Sequence, residues 1–160
     1  MTHQLREEDL TFLDRAPIRV EQERVIGVPA ARVWPWVVDA AKWPTWFGGM
    51  KTARMTSDGP PAAGGTRFVE VGGIKANEVL LAVEANHRYA FRIVDANLRF
   101  LAVMVEEVTL DESDGATTVR YVQAVELSSW YRWMAPLLRR QLGKALGAAL
   151  DGLKETAEAG

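Results

Sequence analysis

Residues 131–153 carry an apolar stripe at helical spacing, and any fold of this chain must give that stripe a partner. Wound at ~100° per residue, Tyr131, Met134, Leu138, Leu142, Ala145, Leu146, Ala149, Leu150 and Leu153 share one side; Arg140, Lys144, Asp151, Lys154 and Glu155 lie opposite. The spacing predicts a long amphipathic helix for a sheet to wrap. Ser128 or Ser129 is placed to cap it, and Pro136, which has no N–H, predicts either a bend there or a true start near it. Mid-stripe the side chains shrink to Ala145 and Ala149, so the helix either packs closely or leaves a hollow beneath those two positions.

The preceding residues supply a sheet. Residues 18–26 alternate with a period of two, as in a strand, and Pro29-Ala30 then opens a helical segment in which Val33, Trp34, Val37 and Val38 share a face. Pro35 predicts a kinked or late-starting helix. A second short helix is expected from Pro44 to Gly48-Gly49, with Trp43 held out of the α region by the proline after it. Trp34, Trp36, Trp43 and Trp46 read as a hydrophobic plug between these helices and the sheet. Strands are predicted at 51–55, 66–71, 74–84, 88–94, 98–110 and 116–127, separated by turn chemistry such as Asp58-Gly59, Gly72-Gly73 and Asp114-Gly115. Connections this short make consecutive strands antiparallel.

The 160 residues are the size of one domain, expected over 18–157, with 1–17 as an arm or short helix. A balance of 19 basic against 21 acidic residues gives no pull toward phosphate backbones, so no nucleic-acid partner is expected. The absence of cysteine removes disulfides and thiolate chemistry. The first residues lack the pattern of a signal peptide, and no stretch approaches the ~18 apolar residues of a membrane span. A cytoplasmic monomer or homodimer without integral membrane association is the expectation. His3 and His87 are the only histidines, so neither a metal site nor a Ser-His-acid triad is predicted; no Gly-rich phosphate loop points to a nucleotide, and no cofactor is expected. Arg139, Arg140 and Lys144 read as a solvated helix face rather than a membrane patch.

Element order and one motif together resemble a known family. A strand, two small helices, an antiparallel meander and a long C-terminal helix is the order of the START-like, or Bet v 1-like, helix-grip fold. The run Val33-Trp34-Pro35-Trp36-Val37-Val38-Asp39, continuing to Trp43-Pro44-Thr45-Trp46, is similar to its bacterial branch called polyketide cyclase/dehydrase and lipid transport. The resemblance covers nearly all of 18–153. It implies an α+β fold in which a curved antiparallel sheet grips the last helix, with a cavity between them. The function it implies is carriage or sensing of a hydrophobic small molecule: a lipid, polyketide or aromatic metabolite. The alternative is a polyketide aromatase/cyclase or dehydratase without metal or nucleotide. Val33, Trp34, Asp39, Trp43, Pro44 and Trp46 match as fold markers, not as catalytic residues.

Strand parity nominates the cavity lining. Tyr89, Phe91 and Ile93 turn inward, with Arg88 and Arg92 outward; Val119, Tyr121, Gln123 and Val125 turn inward, with Arg120 and Glu126 outward. By the same rule Asn77, Val79, Leu81 and Val83 face in and Glu78 and Glu84 face out. In 98–110 two sets compete, Leu101, Val103, Val105 and Glu107 against Ala102, Met104, Glu106 and Val108. The nominated ligand-binding residues are Asn77, Leu81, Tyr89, Phe91, Val105, Glu107, Tyr121 and Gln123 on the sheet, with Met134, Leu138, Leu142 and Ala145 on the helix. Glu107 and Tyr121 are the candidates for catalysis, since whichever of Glu106 and Glu107 faces inward would have a raised pKa suited to acid–base work. Arg67 is unassigned by parity.

Overall fold

Every connection in residues 50–127 is too short for a crossover, and in the computed structural model, which describes residues 1–160, the strands accordingly form an antiparallel meander. The strands are β1 (His3–Gln4), β2 (Ile18–Ile26), β3 (Met50–Met55), β4 (Thr66–Val71), β5 (Ile74–Glu84), β6 (Arg88–Ala96), β7 (Leu101–Ser113) and β8 (Ala116–Leu127). The helices are α1 (Ala30–Val38), α2 (Trp43–Trp46) and α3 (Ala135–Ala159), with 3-10 turns at Leu10–Asp14, Ala40–Lys42 and Ser129–Met134. The sheet runs β2-β8-β7-β6-β5-β4-β3, and β1 adds to β6. This is the helix-grip architecture, an α+β fold with the two small helices between β2 and β3.

The β7–β8 hairpin closes at Asp114-Gly115, whose φ angles of 53° and 77° are both positive, as a two-residue type I′ turn requires. With so tight a turn, Asp111, Glu112 and Ser113, expected to be loop, continue the strand and pair with Thr118, Thr117 and Ala116. Glu112 Oε2 then accepts from the Ala30 backbone N–H at 2.8 Å, fixing the start of α1. Pro35 lies inside α1, which nevertheless runs from Ala30. Trp43 departs from expectation: at φ −55° and ψ −42° it is helical despite Pro44. Its indole is buried and donates to the Val37 carbonyl at 2.8 Å, an anchor that fixes this residue against the proline's local preference.

The long helix begins at Ala135, next to Pro136, and the residues before it form a 3-10 turn rather than its first turn. Its two halves differ. Leu146, Gly147, Ala149, Leu150, Leu153 and Ala157 are buried, whereas no residue from Ala135 to Ala145 is. Glycines permit the close approach. A Cβ on Gly152 would lie 2.3 Å from the Trp46 carbonyl oxygen, so α2 rests directly on the helix backbone.

The sheet is covered on both faces. The main core lies on the concave side, while Phe12 and Leu13 of the first 3-10 turn pack with Val103, Val105, Val122 and Ala124 on the convex side. The N-terminal segment is therefore a fixed cover for β7 and β8.

Candidate functional site

Beneath the exposed half of α3 lies a cavity of about 290 Å³, roughly ten times the liquid volume of a water molecule. Of its 23 lining residues 18 are hydrophobic, so its walls offer little to a polar solute. Trp43, Phe47, Met50, Phe91, Ile93, Leu98, Phe100, Met104 and Val125 form much of the wall, and Leu138, Leu142 and Ala145 close it from the helix. Trp43 anchors one end, packed against Trp46, Phe47, Tyr89, Phe91 and Tyr121 at ring separations of 4.6–6.2 Å. Trp34 and Trp36 stay half-buried nearby, so the tryptophan cluster plugs the small-helix end of the core.

The polar groups of the cavity converge at one place. Arg67 of β4 and Glu78 of β5 are register partners, and Arg67 Nε donates to Glu78 Oε2 at 2.6 Å, both side chains being buried. The guanidinium lies 4.3 Å from the ring centroids of both Trp43 and Phe91, and it also donates to the Tyr89 hydroxyl at 3.4 Å. On β7 the buried Glu106 Oε1 accepts from the Tyr121 hydroxyl and from Gln123 Nε2, each at 2.8 Å. Both hydrogen bonds reach Oε1, leaving Oε2 without a protein donor. Gln123, only 5% exposed and on the cavity wall, has its Oε1 buried with no partner.

This cluster holds two carboxyl groups and one guanidinium in a nearly dry setting. Burial pushes Glu106 up to about 7, and the Glu78 charge adds to the rise. Burial also raises Glu78, with Arg67 pulling it back. Burial alone would lower Arg67, but Glu78 and the neighbouring tyrosines hold it above its ordinary value. Tyr121 is raised well above the usual phenol range by burial and by the Glu106 charge. The cluster is electrically neutral when one carboxyl keeps its proton, and Glu106, farther from Arg67's direct hydrogen bond, is the group placed to keep it.

The structure brings six of the nominated residues to the cavity: Phe91, Tyr121, Gln123, Leu138, Leu142 and Ala145. Tyr89 is buried behind the wall, against Arg67. Met134 packs on the core beside the cavity without lining it. The other nominations on the sheet are corrected. Asn77 is exposed and donates to Asp95 at 2.8 Å, while Leu81 and Val105 pack on the convex side under the N-terminal turn. Glu107 is on that side too, accepting from Arg88 Nε at 2.6 Å; Glu106 is the inward acid. In β5 the concave set is Ala76, Glu78 and Leu80 rather than Asn77, Val79 and Leu81, and a bulge between Leu80 and Ala82 returns Val83 to the main core.

Parity missed Glu78 because it turned the more apolar set, Val79, Leu81 and Val83, toward the core and so left the alternate residues in solvent. The signal that finds it is the register that sets Arg67 opposite. For Val105 and Glu107 the cause is the convex cover, which makes both faces of β7 apolar.

A curved sheet, a gripping helix and an apolar cavity between them define the START-like, helix-grip fold class. The chain belongs to the family described as polyketide cyclase / dehydrase and lipid transport, whose match spans residues 17–158. An uncharacterized protein of Mycobacterium tuberculosis is 26% identical over 151 residues, covering 94% of this chain and 90% of its own length. Among solved structures, a START superfamily protein from Mycobacterium smegmatis superposes with a TM-score of 0.75 at 14% identity, over 89% of this chain and 98% of that one. The Zhui aromatase/cyclase from Streptomyces sp. R1128 gives 0.75 at 15% identity, over 88% and 93%. At these identities the structural likenesses establish the shared fold.

Proposed function

We propose that this protein carries or senses a mostly apolar small molecule with one hydroxyl group, held between the sheet and α3 with that hydroxyl at Gln123 and Glu106. The observation that carries this reading is the unpartnered Gln123 Oε1, a buried acceptor at the polar end of an apolar cavity. Leaving such an atom unpaired costs on the order of 1–3 kcal/mol, which a ligand hydroxyl recovers by donating to it. Family membership supports hydrophobic ligand binding, and the cavity is near the lower end of the roughly 300–1,000 Å³ of small-molecule sites, fitting one or two fused rings or a short chain.

Fluorescence titration with 2-naphthol and with naphthalene tests the reading. The account expects saturable binding of both, about tenfold tighter for the naphthol, and loss of both in Ala145→Trp, which fills the cavity from its rim. Equal binding to Ala145→Trp, or no binding to the parent protein, contradicts it.

The inward Glu106 and Arg67 favour a second reading, a dehydratase or cyclase. With a pKa near 7, Glu106 is able both to take and to return a proton at neutral pH. As carboxylate it would remove a proton from a carbon beside a substrate carbonyl, giving an enolate. The β C–O bond then breaks as the enolate collapses, and the leaving hydroxyl recovers that proton as water, so no oxidant is needed. Turnover of a β-hydroxy ketone that survives Glu106→Gln would remove this reading while leaving the binding one intact.

A further inference from the structure

The 3-10 turn before α3 holds two tryptophans in water. Trp130 is 84% exposed and Trp133 is 75% exposed, and Leu137, one turn into the helix region, is 52% exposed. Three large apolar side chains exposed so near one another in the chain form an apolar surface without a partner in the monomer. The fold holds this end firmly: Ser128 N–H donates to the Phe100 carbonyl at 2.8 Å, and the Phe100 and Tyr131 rings meet edge to face at 6.3 Å.

Along the chain here the charge has one sign. From Ser128 to Leu150 the chain carries Arg132, Arg139, Arg140 and Lys144 and no aspartate or glutamate, in a protein whose net charge is −2. None of these four cations forms an ion pair. The nearby Glu126 is held by Arg6 at 2.6 Å instead. On the helix, Arg140 and Lys144 follow Leu137 on the same side. A second copy docking by two-fold symmetry would bring this cationic stretch against itself. An anionic lipid surface would neutralise it, and tryptophan is the side chain that favours the boundary between headgroups and acyl chains.

The sequence alone reads Arg140 and Lys144 as a solvated helix face, but the exposed tryptophans beside them change that reading: we infer that the Trp130–Trp133–Leu137 end, with Arg132, Arg140 and Lys144, is a peripheral docking surface for an anionic lipid bilayer. No helix of the protein is long and apolar enough to cross a membrane, so the attachment is superficial and reversible. Phe100, whose ring meets Tyr131 of this end, also lines the cavity, so the docking surface adjoins the cavity wall. The surface stands on its own exposed residues and does not depend on what the cavity holds.

Co-sedimentation with vesicles of phosphatidylcholine alone and of equimolar phosphatidylglycerol and phosphatidylcholine tests the inference, with tryptophan emission as a second readout. The expected result is binding to the anionic vesicles with a blue shift, weakened by added salt. Trp130→Ser with Trp133→Ser should weaken it about tenfold, and Arg140→Gln with Lys144→Gln about fivefold or more. Because all four side chains are exposed, each variant should keep the parental melting temperature. No binding to either vesicle, equal binding to both, or a tryptophan double variant that binds as the parent does would overturn it. So would a concentration-dependent dimer that the tryptophan variant abolishes while vesicle binding is absent.

Discussion

Replacing Glu106 with glutamine should make the protein more stable at neutral and alkaline pH. The native state raises this carboxyl from 4.5 to about 7, chiefly by burial. At 1.36 kcal/mol per pKa unit, that difference amounts to about 3 kcal/mol of stability. The sign follows from proton uptake. Below the unfolded value both states are protonated and the acid carries no penalty. As pH rises through the window from 4.5 to about 7, the unfolded chain releases its proton while the native state keeps it, so stability falls; above the window the full penalty remains. Glutamine cannot ionise, and its carbonyl preserves the acceptor that Tyr121 and Gln123 each reach at 2.8 Å. Urea denaturation followed by tryptophan fluorescence should therefore show Glu106→Gln more stable by about 3 kcal/mol at about pH 8, a gain of roughly 6–12 °C in Tm. The two proteins should converge as pH falls toward 4.5. Parallel pH profiles, or a variant less stable than the parent at about pH 8, would refute the reasoning.

The same cluster makes Glu78→Gln costly. Stripping the partner from buried Arg67 should destabilise the fold by about 3 kcal/mol, measured by urea denaturation. With Glu78 neutral, Glu106 loses a repelling charge and becomes the only carboxyl facing Arg67, so its pKa should fall in a carboxyl-carbon NMR titration. Gly152→Ala should lower the melting temperature, because its Cβ would stand 2.3 Å from the Trp46 carbonyl oxygen, backbone that moves only with α2. Gly143→Ala, whose Cβ meets a Val20 methyl at 3.7 Å, should be tolerated and serves as its control.

Much of the fold was legible because its signals are local. Turn pairs and alternation placed β4, β5 and β8 at their observed bounds, the apolar stripe found α3, and its start at Ala135 is the second of the two outcomes that Pro136 left open, a bend or a start near it. The candidate site was legible where one face of a strand is plainly apolar, as for Phe91 on β6. It was obscured where pairing happens across strands. Asn77 looked like the inward polar group because it alternates in step with Val79, Leu81 and Val83, yet Arg67 on the next strand makes the buried Glu78 tolerable. Glu106 and Glu107 are adjacent, and only the convex cover by Phe12 and Leu13 decides that Val105 and Glu107 turn away from the cavity. The exposed tryptophans show a further limit. Trp130 and Trp133 are the same residue type as the buried tryptophans, and only the structure shows that they sit exposed in the 3-10 turn before α3.

The central claim is that the space between the sheet and the first half of α3 admits an apolar ligand whose hydroxyl reaches Gln123. Adding 2-naphthol to protein labelled at methyl groups and side-chain amides tests it directly by NMR. The account predicts shifts at the Leu138 and Leu142 methyls and at the Gln123 amide, with the convex-side methyls of Leu10 and Leu81 unmoved. Shifts confined to the convex side, or none at Gln123, would contradict it.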